Sequence, residues 1–270
     1  MNRNFLTPAE TAREVVAAGQ RVLNQPPGRT LVLSFLAGVY IAFGAQLAIV
    51  VTSDAGTFFG AGFSRFLGGS VFSVGLMLVI VCGAELFTGN SLLVKAALNR
   101  RISWGKLLEN WGLVIFGNLF GALFIAWLIV HSGLWQGSSI AEKAVAIAAS
   151  KASLPLDQAF IRGILCNWLV CLAVVMAVAA RDLPGKLLAC YIPIMAFVAS
   201  GFEHSVANMF FIPTGLLLQG DAGAATGLTW EHFLVNNLIP VTLGNIVGGV
   251  LFVAGAYWYT YLRGDGHQPS

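Results

Sequence analysis

The chain has 270 residues, of which 57% are hydrophobic and only 10% charged, with a mean hydropathy of +0.79. A soluble domain carries about 25% charged residues, so this composition excludes an ordinary soluble domain and indicates an integral membrane protein. The net charge of +3 is too small and too dispersed for a nucleic-acid binder.

In chain order, the first element is amphipathic. "TPAETAREVVAAGQRVL" opens with Thr7 as N-cap, Pro8 at the first helical position and Glu10 closing a capping box. It is expected to lie on the membrane surface, and no cleavable leader is expected. Crossing a bilayer core of about 30 Å takes about 20 apolar residues as helix. Runs free or nearly free of charge follow at 30–53, 66–84, 86–94, 110–141, 163–180, 187–202, 205–220 and 233–262. Glu85 alone separates the second and third runs. Glu203 and His204 alone separate 187–202 from 205–220. Each pair reads as one interrupted crossing, which predicts six spans. Cys82, Cys166, Cys171 and Cys190 lie inside apolar segments without metal-site spacing, so no metal and no cofactor is expected.

With six spans both termini share a side. That side carries Arg3, Arg13, Arg21, Arg29, Lys95, Arg100, Arg101, Lys106, Arg181, Lys186 and Arg263; the other carries Arg65, Lys143, Lys151 and Arg162. The excess of cations predicts that both termini are cytoplasmic.

The chain also repeats itself. "NWGLVIFGNLFGALF" from Asn110 matches "NLIPVTLGNIVGGVLF" from Asn237, and "GAELFTGN" from Gly83 matches "GFEHSVAN" from Gly201. "FLAGVYIAFGAQLA" from Phe35 is aligned with "FIRGILCNWLVCLA" from Phe160, so the offsets run from 118 to 127 residues. A three-span unit enters the membrane inverted in its second copy, as in channels and transporters, with the paired broken helices marking the permeation site. The expected organisation is a cytoplasmic amphipathic helix in 1–29 and a six-span channel domain in 30–263. The repeats cover about 30–133 and 156–263, and 264–270 form a cytoplasmic tail. Gly117, Gly121, Gly244 and Gly248 recur at four-residue spacing and are expected to bring helices close together.

Glu85 has its twin in Glu203, so both carboxylates, with Asn90, are expected to serve structure by capping exposed N–H groups at the helix breaks. His204 has no twin, since Leu86 stands in its place; it is the residue expected to carry proton chemistry, with Asn208 one turn further on. Thr88 offers a hydroxyl, and Leu86 and Phe87 an apolar gate. A zinc-protease His-Glu-x-x-His motif, a Gly-x-Ser-x-Gly elbow and Asn-Pro-Ala boxes are missing from the sequence, which leaves a pore for something small rather than an enzyme.

"CGAELFTGN", "CNWLVCLA", "SGFEHSVANM" and "IPVTLGN" together resemble the formate–nitrite transporter family, most closely its formate-channel branch, over roughly residues 5–263. The resemblance implies an all-α, aquaporin-like fold of two inverted three-span repeats, spans two and five broken. It implies a homopentamer in the cell inner membrane with one pore per protomer. By the same resemblance His204, Thr88 and Asn208 act on substrate and proton. Phe72, Phe87 and Val170 form an outer constriction, and Leu76, Leu86 and Phe197 an inner one. Lys151 attracts anions in the outer vestibule. The implied partners are protons and a small weak-acid anion, formate before nitrite, hydrosulfide or a short carboxylate. A ligand-binding membrane sensor or scaffold is the alternative from another class.

Overall fold

The computed structural model describes residues 4–220 and 227–263; the expected tail 264–270, and Arg3 of the charge count, lie outside them. The amphipathic start forms helix α1, Pro8–Leu23, with the Thr7–Glu10 capping box in place. Its buried stripe of Thr11, Ala12, Val15, Val16, Gly19 and Leu23 faces the bundle, so its polar face is left to water.

Six helices are long and apolar enough to cross a membrane. They are α2 (Pro27–Thr52), α3 (Ala55–Cys82), α5 (Trp104–His131), α7 (Leu156–Ala179), α8 (Leu183–Ser200) and α10 (His232–Tyr261). Two half-helices complete the interrupted spans. The first, α4, runs through Phe87–Asn90, a 3-10 turn at Ser91–Leu93 and Val94–Leu98; the second is α9, Ser205–Leu218. α6 (Ser139–Ala152) joins the repeats.

The order α1 to α5 recurs as α6 to α10. α2 packs on α5 as α7 packs on α10, and α1 packs on α4 and α7 as α6 packs on α9 and α2. The repeat therefore includes a leading helix: α6 holds in the second half the place of α1 in the first. Both lead to a proline at the N-cap of the next span, Pro26 and Pro155.

That proline pair sets the first-span offset at 129 residues, where the motif match of Phe35 with Phe160 gives 125. The structure corrects the match by one helical turn. The reason is close packing. A Cβ on Gly121 would land on the Phe35 carbonyl, and one on Gly248 on the Ile164 carbonyl, so the twin of Phe35 is Ile164. The expected tight helix contacts are thus present, with backbone against backbone.

Candidate functional site

The incoming halves of spans two and five stop at glycines. Gly83 (φ 78°) and Gly201 (φ 77°) adopt the left-handed conformation that favours glycine. The chain then runs extended to Leu86 and His204 and turns into α4 and α9. Each break strips backbone groups of helical partners at membrane depth, where an unsatisfied group costs several kcal/mol.

Two asparagines supply what is missing. Asn118 on α5 accepts from the Phe87 N–H through Oδ1 (2.9 Å) and donates Nδ2 to the carbonyls of Ser34 (2.7 Å) and Glu85 (2.9 Å). Asn245 on α10 accepts from the Ser205 N–H (2.9 Å) and donates to the carbonyls of Gly163 (2.8 Å) and Glu203 (3.0 Å). The Glu85 and Glu203 N–H groups donate to the carbonyls of Leu33 (3.2 Å) and Arg162 (3.3 Å). Capping by the two glutamates is therefore corrected: the asparagines one helix away do that work. The sequence carried a signal for them, a Gly-Asn pair recurring at one place in spans three and six.

The glutamates instead organise side chains. Glu85 accepts from Gln25 Nε2 (3.0 Å) and Asn90 Nδ2 (2.8 Å), and Asn90 also donates to Asn110 Oδ1 (3.0 Å). Glu203 accepts from Lys151 Nζ (3.0 and 3.1 Å) and Asn208 Nδ2 (2.7 Å), and Asn208 also donates to Asn237 Oδ1 (2.7 Å). Asn208 thus turns to Glu203 rather than to His204, and Asn208 Oδ1 is buried without a hydrogen-bond partner among the described residues. The two clusters share one plan, a glutamate held by an asparagine five residues on that also reaches an asparagine of the next span, with Lys151 on one side where Gln25 stands on the other.

Between the clusters the N-termini of α4 and α9 meet. Thr88 Oγ1 and His204 Nε2 are 3.0 Å apart, both residues buried. His204 is also the N-cap of α9, its Nδ1 accepting from the Ala207 N–H at 3.0 Å. An acceptor nitrogen carries no proton, so the ring proton sits on Nε2 and is donated to Thr88 Oγ1. Protonating Nδ1 as well would set two donors head to head. The Thr88 hydroxyl hydrogen then remains for another partner. Asn167 Nδ2 steadies this turn through the carbonyl of Thr88 (3.2 Å); no sequence motif pointed to that role.

A cavity of about 260 Å³ reaches this contact from the Lys151 side, lined by Phe72, Lys151, Phe197, His204, Asn208 and Phe211 among others. Phe197 lies edge-on to Phe72 (5.8 Å between ring centroids) and stacks on His204 (5.8 Å). A cavity of about 110 Å³ approaches from the opposite side, lined by Leu76, Leu86, Gly89 and Val174 and walled by Val15, Ala18 and Val22 of α1. The six expected constriction residues are thus sorted differently. Leu76 and Leu86 line the α1-side cavity, while Phe72 and Phe197 share the Lys151-side cavity, which moves Phe197 from the inner group to the outer. Phe87 packs on Trp111 (6.0 Å), and Phe87 and Val170 line neither cavity.

Lys151 is not alone at its mouth. The wider opening, about 670 Å³, is also lined by Arg65, Lys143 and Arg162, so all four cations assigned to that face converge on one vestibule. Glu203 compensates Lys151, whereas Arg65 and Lys143 form no ion pair among the described residues.

Comparison with known proteins agrees with this geometry. The formate/nitrite transporter profile matches residues 9–259. The chain is 49% identical to a probable formate transporter of Methanothermobacter thermautotrophicus, covering 97% of this chain and 100% of that one. It is 40% identical to the formate channel FocA of Escherichia coli (strain K12), covering 98% of each. A solved structure of a pentameric formate channel with formate bound superposes with a TM-score of 0.77 at 37% identity, covering 88% of this chain and 98% of that one. The fold, the paired breaks and the matched profile together place this chain in the formate/nitrite transporter family.

Proposed function

We propose that the chain forms a pore for a small weak-acid anion, formate first, and works by passage rather than catalysis. The observation that carries the reading is the buried Thr88–His204 contact where the two half-helices meet, with one cavity reaching His204 and a second lined by Leu86 and Gly89 on either side of Thr88 in the chain. Relatives named as formate transporters and channels support the substrate. A pentameric neighbour supports a homopentamer. The distribution of Lys and Arg supports cytoplasmic termini, which puts the Lys151 vestibule outside the cell membrane.

The half-helix N-termini present the positive ends of their dipoles to the centre, and the cationic vestibule raises the local anion concentration. The phenyl rings then impose a desolvation cost that a bare anion does not meet. Taking a proton in the vestibule removes the charge, and the neutral acid passes. Its O–H finds an acceptor in Asn208 Oδ1, the buried oxygen without a protein partner, and its carbonyl finds a donor in the Thr88 hydroxyl. His204, neutral and holding the first turn of α9, orients Thr88. A relay through His204 itself requires a second ring proton, and so the opening of the Ala207 N–H cap.

Uptake into proteoliposomes tests this. Formate flux is expected to rise as the pH falls, with nitrite and hydrosulfide following and chloride far slower. Equal formate and chloride flux at every pH would overturn the proposal.

A further inference from the structure

On the face that carries α1, a polar cavity of about 360 Å³ lies between α1, the turn after α4 and the end of α10, away from both pore cavities. Arg13, Gln20, Asn99 and Arg101 supply its polar lining, and Val16 and Leu262 an apolar part. We propose that this cavity binds the phosphate of an anionic phospholipid. The inference is independent of what passes through the pore.

Three observations carry it. Guanidinium groups from two separate elements line one cavity, and the planar fork of Arg suits bidentate contact with phosphate oxygens. The turn that delivers Arg101 is strained. Arg100 sits at φ 56°, the one non-glycine residue with positive φ among those described. The Arg100 and Arg101 N–H groups close the end of α4 onto the Ala97 and Ala96 carbonyls, a position where glycine costs least. The turn so closed sets the next residue, Arg101, at the cavity wall. Finally, Trp258 Nε1 donates to Asn99 Oδ1 (2.9 Å), which fixes the flip of that amide and leaves its NH2 group as the donor side.

The location selects a lipid over a soluble anion. α1 lies along the ends of the spans, Trp258 is the kind of ring that settles at headgroup depth, and Val16 and Leu262 offer apolar surface beside the guanidinia, as the junction of headgroup and acyl chain requires. Basic pockets at this level are a recognised form of lipid site.

The test is phosphatidylglycerol binding to the delipidated full-length protein, counted by native mass spectrometry, with phosphatidylcholine and inorganic phosphate as comparators. Arg13→Gln/Arg101→Gln is expected to weaken phosphatidylglycerol binding by about thirtyfold, the effect of two near-surface guanidinia, while Arg181→Gln/Lys186→Gln, the same charge change on the same face outside the cavity, leaves it unchanged. Formate uptake and melting without added lipid confirm that the variant is folded. Should it not fold, Arg13→Lys/Arg101→Lys keeps the charge, loses the fork and is expected to show several-fold weaker binding. Equal affinity in wild type and variant overturns the site, and so does equal loss in the control. Displacement of phosphatidylglycerol by millimolar inorganic phosphate overturns the lipid assignment.

Discussion

Removing Lys151 isolates a buried carboxylate. In Lys151→Met, Glu203 keeps one side-chain donor, Asn208, while its side chain is only 5% exposed and that of Lys151 18%. Breaking a buried pair on one side costs about 3–5 kcal/mol. The neighbouring cavity admits water, which puts the cost at the lower end, about 3 kcal/mol. At about 2–4 °C per kcal/mol for a chain of this size, melting should fall by about 6–12 °C. Glu203→Gln keeps an acceptor for Asn208 and lets Lys151 turn to the vestibule, costing about 1–2 kcal/mol. Lys151→Met/Glu203→Gln leaves no unpaired charge and should cost about 1 kcal/mol, a coupling of about 3–4 kcal/mol. The assay is fluorescence-monitored melting of the purified protein, with formate uptake alongside. Additive costs, the double variant falling as far as the two singles combined, would refute the reading of this pair as one unit.

Thr88→Val should lower formate uptake by about tenfold or more with melting nearly unchanged, and Thr88→Ser should restore most of it, because the hydroxyl hydrogen is the group at work; stopped-flow uptake decides. Arg65→Gln/Lys143→Gln should flatten the fall of uptake with ionic strength, measured from low to physiological salt; an unchanged salt slope would place the attraction elsewhere. Gly121→Val and Gly248→Val should each cost about 3 kcal/mol or more, since the new side chain runs into a carbonyl, and the yield of monodisperse protein should drop alike for the two.

The spans and their inversion were legible because two signals are strong in sequence: long apolar runs, and paired motifs around Glu85 and Glu203. The register of the first span was not. Small residues recur at every turn along such helices, so a match slipped by four looks as good as the true one, and Asn167 occupies the position at which Gly38 would have guided the eye. The glutamate pair was legible, and Asn90 with it, but Gln25 and Lys151 were not legible as its partners, because they come from the leading helices and their neighbourhoods rather than from the motifs. The cap of His204 onto Ala207 follows from the geometry of one helical turn, which spacing alone does not reveal. Likewise, nothing in the spacing of Phe197 says on which side of the Thr88–His204 contact its ring falls.

The placing of Arg65 and Lys143 at the Lys151-side mouth, with no ion pair among the described residues, has a consequence for direction. A fixed charge at one mouth deepens a well for the anion there. It quickens entry from dilute solution and slows departure by the same factor, so the two effects cancel in any gradient the pore relaxes. The asymmetry sets how fast equilibrium is reached at low supply. It does not set where equilibrium lies, so net uptake or release is decided by concentration and acidity on the two sides of the membrane.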